Sequence, residues 1–230
     1  MDIDLLVLEK NIDYHFKNSD LLLQAVVHRS YLNEHPDFKL GHNERLEFLG
    51  DAVLELIVTE YLYRNYPNPE GELTNWRASL VNSRLLATVA DKIRLNDFLY
   101  LSKGESRDTG KARQYILANA VEALIGAMYL DGGIEVTIRF IENQIISQLP
   151  HILENQLYLD PKSKFQEMAQ EKTGVTPQYK VIKETGPDHE KYFTVGVYLN
   201  DEEVAVGEGS SKQEAQIDAA AKALEEKGWK

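Results

Sequence analysis

Cysteine is absent from the 230 residues. That excludes a disulfide framework, a thiolate metal site and a cysteine nucleophile, and it suits a reducing cytosol. Positive charge is scarce: 25 Lys and Arg stand against 37 Asp and Glu, a formal net charge of −12. Composition of this kind argues against a nucleic-acid binder, which usually shows a basic face, although a local cationic strip is compatible with an acidic total. No run of about 18 uncharged apolar residues occurs, so no membrane span is expected. The opening MDIDLLVLEKNIDYHF is acidic and lacks the basic start and apolar run of a secretory leader. The expected location is therefore the cytoplasm. There is no internal repeat and no low-complexity segment. What the chain does have is 43% hydrophobic residues, enough for a real core in one large domain or two modest ones.

The hydrophobic pattern changes character near residue 156. Before it, the chain reads as helices: NSDLLLQAVVHRSYL with Asn18 or Ser19 as N-cap, ERLEFLGDAVLELIVTEYLYRNY ended by Pro67 and Pro69, then LTNWRASLVNSRLLATVADKI, QYILANAVEALIGAMYLD and IEVTIRFIENQIISQL. Gly132 and Gly133 separate the last two. KGESRDTGKAR, 103–113, reads as a polar loop. After the change, Asp160-Pro161 opens a helix KSKFQEMAQEKTG. Three alternating runs follow, PQYKVIKET, KYFTVGVYLN and EVAVGEG, with Asn200-Asp201 as a hairpin turn between the last two. Ser211 to Glu214 form a capping box ahead of the final helix. The expectation is an all-α domain over 1–156 and a small α+β module of order α-β-β-β-α over 157–230.

The second helix pattern poses a chemical problem. At about 100° per residue, Glu44, Glu47, Asp51 and Glu55 fall within roughly 80° of arc, while Leu46, Phe48, Leu49, Ala52, Val53, Leu54, Leu56 and Ile57 occupy the rest. A helix apolar over so much of its circumference is expected to be largely buried. ILANAVEALIGAMYL repeats the theme, with Asn119 and Glu122 three residues apart on one face. Packed carboxylates repel, and without compensation they take up protons. A hard divalent cation such as Mg²⁺ or Mn²⁺ removes the conflict, because it wants oxygen ligands and keeps several waters. The alternative is that these acids face solvent or pair with Arg29, Arg45 or Arg77.

HNERLEFLGDAVL (42–54) resembles the signature of the ribonuclease III family of double-strand-specific RNA endonucleases. HRSYLNE (28–34), EGELTNWRASLVN (70–82) and ILANAVEALIGAMYLDGG (116–133) follow in the family's order and spacing. The resemblance implies a nuclease domain in which Glu47, Asp51 and Glu122 hold Mg²⁺, or Mn²⁺ in its place. Glu122 would bridge, Asp51 would help position the attacking water, and Glu44 would support. The family usually has Asp where this chain has Asn119. Asn still offers a carbonyl oxygen to a metal or its water but no charge, so weaker metal binding is expected. The resemblance further implies a homodimer, products with 5′-phosphates and short 3′ overhangs, and substrates such as ribosomal RNA precursors and other structured transcripts. Arg77, Asn82, Ser83, Lys111 and Arg113 stand in segments where phosphate contacts are expected, with surface salt bridges as the plainer reading of each.

Residues 158–230 resemble a double-stranded-RNA-binding domain, a module that reads the shape of A-form RNA across its shallow minor groove. The resemblance assigns Gln166 and Glu167 to one minor groove, and the G-P-x-H loop with Gly186, Pro187 and His189 to the next. Ser211 and Lys212 would meet phosphates at a helix N-terminus, where N–H groups favour anions. Members often carry a run of lysines there. This chain has Lys212 followed by Gln213, and the segment holds 10 Lys and no Arg against 14 Asp and Glu. Modest, salt-sensitive affinity is expected. The rival readings are a protein that binds such RNA without cutting it, suggested by Asn119, and an all-helical nucleotide pyrophosphohydrolase, which has no need of the C-terminal module.

Overall fold

Asp4 accepts the Leu6 amide and heads α1 (Leu5–Ile12); Asn18 accepts the Asp20 amide and heads α2 (Ser19–Ala25). These caps satisfy N–H groups that a helix leaves orphaned. The computed structural model describes residues 4–107, 109–187 and 191–229. It divides into two compact units, Met1–Tyr158 and Leu159–Lys230.

Among the described residues the first unit is helical throughout. After α1 and α2 come α3 (Arg29–Glu34), α4 (Glu44–Asn65), α5 (Glu70–Val81), α6 (Ser83–Lys92), α7 (Lys111–Gly132), α8 (Ile134–Gln144) and α9 (Leu149–Glu154). Three patterns expected as single helices are each broken in two. Val27 leaves the helical path to make a parallel bridge with Tyr100, and the His28 amide bonds the Tyr100 carbonyl at 3.0 Å; this separates α2 from α3. Asn82 takes extended backbone and its Oδ1 accepts the Leu85 amide at 2.9 Å, ending α5 and capping α6. A short Asn side chain competes with the helix for its own backbone in this way. The third pattern stops at Ile145, and α9 restarts with Pro150 in its first turn, where a missing N–H costs nothing. The expected loop 103–113 is shorter than predicted, since α7 begins at Lys111.

The core of this unit gathers Leu54, Val58 and Leu62 of α4, Leu80, Leu86 and most of α7. Helix α7 runs through the middle, and its broadest packing is against α4. Asp131 near its C-terminus ties down the chain between α1 and α2: its carboxylate accepts the Tyr14 hydroxyl at 2.5 Å and the amides of Lys17 and Asn18 at 2.9 and 2.8 Å.

The second unit follows the expected order: α10 (Pro161–Thr173), β1 (Gln178–Thr185), β2 (Tyr192–Leu199), β3 (Glu202–Gly209) and α11 (Lys212–Glu226). The strands form an antiparallel sheet in the order β1-β2-β3, with Asn200 at φ +54° in the hairpin. Asp160 caps α10 through Lys162 and Ser163 amides. Phe165 and Ala169 pack against Val197, Leu199 and the alanines 219, 220 and 223 of α11. The capping box is only half as expected. Ser211 accepts the Glu214 amide at 3.1 Å, but Glu214 reaches back one residue further, to the amide and hydroxyl of Ser210.

Candidate active site

Two glycines decide how closely α4 and α7 approach. A Cβ built on Gly50 would lie 1.7 Å from the Glu122 carbonyl oxygen, and one on Gly126 would lie 2.2 Å from the Leu46 carbonyl oxygen. The two backbones therefore touch where Glu47 and Asp51 flank Gly50 on one helix and Glu122 lies one turn before Gly126 on the other. No other residue fits at either position without moving a helix. Sequence reasoning passed over this pair. The available signal was a glycine in the middle of each long apolar helix, a placement that weakens a helix unless packing requires it.

The crossing concentrates negative charge. Burial first, then Asp51 and Glu47, push the Glu122 carboxyl up to about 7. Glu47 is raised by burial, by Glu44 and by Asp51, with His42 pulling the other way. Glu47 and Glu122 are half-buried and Asp51 is exposed beside them, and Asn119 stands one turn before Glu122 on the same face of α7. Glu44 lies at its edge in loose ion pairs, 3.6 Å from Arg29 and 3.8 Å from His42. Glu55 is a correction to the four-acid stripe: it is solvent-exposed and perturbs neither Glu47 nor Glu122, because it sits a turn past Asp51, beyond the crossing. A second correction concerns burial. Helix α4 is not largely buried; Phe48 is 81% exposed and Leu56 61%.

All the donors in the patch are oxygens, three carboxylates and one carboxamide. That set suits a hard cation and not zinc or copper. A half-buried carboxyl pushed up to about 7 by burial and then by its acidic neighbours is the electrostatic conflict that such a cation relieves. Among the described residues no three His, Asp or Glu side chains close on a point as a finished metal cage. Mg²⁺ keeps much of its water shell, so the residues fit a cation bound through few direct ligands.

The candidate RNA contacts are dispersed. Arg77 donates to Thr59 Oγ1 at 3.1 Å. Lys111 and Arg113 line an open cavity of about 730 Å³ with Arg84, Asp91 and Asn96, and Arg113 donates to the Glu105 carbonyl at 3.3 Å. Asn82 is occupied as a helix cap, and Ser83 Oγ accepts from Gln114 at 3.3 Å. In the second unit, Gln166 and Glu167 are exposed on α10 beside buried Phe165, and Pro187 is exposed. Ser211 caps α11, and the Lys212 ammonium sits 5.7 Å from the Phe193 ring centre. His189 lies outside the described residues.

Comparison with known proteins agrees with this division. Residues 18–149 match a family model described as ribonuclease-III-like, and residues 161–227 match the double-stranded RNA binding motif. The chain is 48% identical over 224 residues to ribonuclease 3 of Carboxydothermus hydrogenoformans, covering 96% of this chain and 95% of that protein. It is 43% identical over 219 residues to ribonuclease 3 of Campylobacter fetus, covering 95% and 96%. Among solved structures, the nuclease domain of ribonuclease III from Campylobacter jejuni superposes with a TM-score of 0.58 at 39% identity, covering 64% of this chain and 99% of that one. That structure is described by flexibility in a region involved in dimer formation.

Proposed function

The chain belongs to the ribonuclease III family, and on that footing we infer that it is an endoribonuclease hydrolysing phosphodiester bonds of double-stranded RNA at the α4–α7 crossing. The observation that supports this reading is that Glu47 and Asp51, beside Gly50, both raise the Glu122 carboxyl across the two-glycine contact. The reading of the chain as a binder without cleavage is not favoured: Asp51 and Glu47 both act on the Glu122 carboxyl, and the family is one of nucleases.

Glu47, Asp51, Asn119 and Glu122 would hold the divalent cation, Mg²⁺ with Mn²⁺ as substitute. Bound there, it supplies Lewis-acid activation of the phosphodiester and of water. The chain's own contributions are distinct. Glu122, whose carboxyl burial and its neighbours raise, would hold the cation as a carboxylate. Asp51 would accept a hydrogen bond from the attacking water and orient it, while Glu47 would add negative charge that favours the cation. Asn119 offers a neutral carbonyl oxygen where a carboxylate would bind more tightly.

Gln166, Glu167, Pro187, His189, Ser211 and Lys212 are the proposed contacts of the small module with the duplex, and Arg77, Lys111 and Arg113 those of the nuclease unit. Family substrates such as ribosomal RNA precursors, and a cytoplasmic setting, complete the proposal; no described helix is long and apolar enough to cross a membrane. Homodimer formation is supported by exposed apolar side chains on α4. Phe48 and Leu56 project from it, and a cavity of about 650 Å³ lined by Leu21, Leu46, Phe48, Leu49 and Leu130 has His42, Glu44 and Arg45 in its wall. Such a patch invites a self-complementary two-fold contact. The test is incubation of a long duplex RNA with and without Mg²⁺. Short, 5′-phosphorylated duplex fragments only in the presence of Mg²⁺ are expected; an uncut duplex in both arms would contradict the reading.

A further inference from the structure

From Ile116 to Met128, α7 buries every side chain but two, Asn119 and Glu122. One turn ahead of Asn119 stands Tyr115, 48% exposed. Positions 115, 119 and 122 are spaced i, i+4, i+7, which puts them on one face within roughly 60° of arc. The helical rise separates Tyr115 from Glu122 by on the order of 10 Å along the axis. Beyond Tyr115, Lys111 and Ala112 are exposed in the first turn. Ahead of Met128 the open face of α7 is therefore a single strip, running from the Glu122 carboxylate through a phenol to the exposed first turn.

A scattered apolar residue on a surface needs no explanation. Tyr115 differs in its place: between Ile116 and Met128 the helix hides every Leu, Ile and Met side chain, and the aromatic immediately ahead of that stretch stands on the strip that carries Asn119 and Glu122. Duplex RNA lying along that strip presents paired bases, which offer no free face for stacking. What its shallow minor groove does offer is a row of 2′-hydroxyls. A phenol and a 2′-hydroxyl are each both donor and acceptor, so they can pair in either direction and neither needs a compensating charge. We propose that Tyr115 is a substrate-contacting, specificity-determining residue whose hydroxyl hydrogen-bonds a ribose 2′-hydroxyl within a few nucleotides of the scissile bond. The assignment rests on the reading of the α4–α7 crossing as the cleavage centre.

The test crosses one protein change with one substrate change. Single-turnover cleavage in Mg²⁺ is measured for the full chain and for Tyr115→Phe. The substrates are an all-ribose duplex and duplexes with one 2′-deoxy nucleotide walked along the strand around the cut. One substitution is expected to slow the natural chain about five- to tenfold, the size of a lost neutral hydrogen bond. Tyr115→Phe should slow the all-ribose duplex by the same factor and be indifferent to that same substitution. The proposal is overturned if Tyr115→Phe cuts the all-ribose duplex at the unaltered rate. It is equally overturned if every deoxy substitution slows both proteins alike, or if the substitution changes the oligomeric state, which would place the hydroxyl at a protein contact. Phe keeps the ring, so an unchanged melting temperature is expected. Should the natural chain fail to cut the all-ribose duplex at all, the cleavage reading itself falls and this proposal falls with it; a cutting enzyme indifferent to Tyr115→Phe removes this proposal alone.

Discussion

The two units solve the same packing problem with different materials. The nuclease unit wraps long aliphatic side chains around α7, a helix buried nearly all round. The small unit lays an alanine face of α11, residues 215, 219, 220 and 223, on a three-stranded sheet with Phe165 as its main bulky filler. Each unit also has a glycine where backbones meet: Gly50 against Glu122 in the first, and Gly207 in the second, where a Cβ would lie 2.1 Å from the Ala219 nitrogen. The difference lies in what surrounds the contact. In the nuclease unit the acids proposed to hold the cation flank the contact itself, so on that reading chemistry and fold share one crossing. In the small unit the RNA-facing candidates sit on an exposed helix face, a loop and a helix cap, away from the core. Cutting and binding should therefore be separable by substitution, and damage to the nuclease core should be felt in catalysis first.

The largest expected effect comes from Glu122→Gln. It keeps the shape and removes the charge, and it should abolish cleavage, a loss of several orders of magnitude, while a gel shift shows RNA binding unchanged. Equal loss of both would collapse the distinction between the units. Next comes a matched pair of glycine substitutions. Gly50→Ala forces the helices apart and should destabilise the nuclease unit by about 3 kcal/mol or more, with loss of cleavage. Gly207→Ala should destabilise the small unit instead and weaken RNA affinity, leaving the rate at saturating RNA within a few-fold. Urea melts beside cleavage assays distinguish the two.

A pH series sharpens the electrostatic half of the comparison. The Glu122 carboxyl stands at about 7 in the folded chain against an ordinary 4.5. A raised carboxyl favours the neutral form, so its stabilising contribution is complete below about 4.5 and is lost as pH climbs through 7. The metal-free nuclease unit should lose stability over that window relative to Glu122→Gln, and Mg²⁺ should cancel the loss. Melts at several pH values, with and without Mg²⁺, check this. The smallest effect is expected from Asn119→Asp, which should lower the Mg²⁺ concentration for half-maximal rate several-fold with little change in stability.

Legibility in the sequence followed the same division. The small unit was readable almost element by element. Strict alternation marks β2 and β3, Asp160-Pro161 marks the start of α10, and Ser211 marks α11, each a short-range signal with its own chemistry. In the nuclease unit the helices were visible as patterns, but their breaks were not. Asn82 ends α5 through a side-chain bond to the Leu85 amide, and Val27 breaks away to pair with Tyr100, far along the chain. Periodicity alone carries no sign of either. The acid stripe was legible as four residues, yet only where α7 crosses does the structure decide that Glu47 and Asp51 join Glu122 while Glu55 stays outside. The exposed apolar side chains on α4 escaped notice for a similar reason: a residue's hydrophobicity says that it seeks cover, not that its own chain supplies it.

Diffraction from crystals soaked in Mn²⁺ tests the central claim most directly. Anomalous density between α4 and α7, bounded by Glu47, Asp51 and Glu122, is the predicted result. No density there, with the three carboxylates turned away from one another toward separate partners, would contradict it.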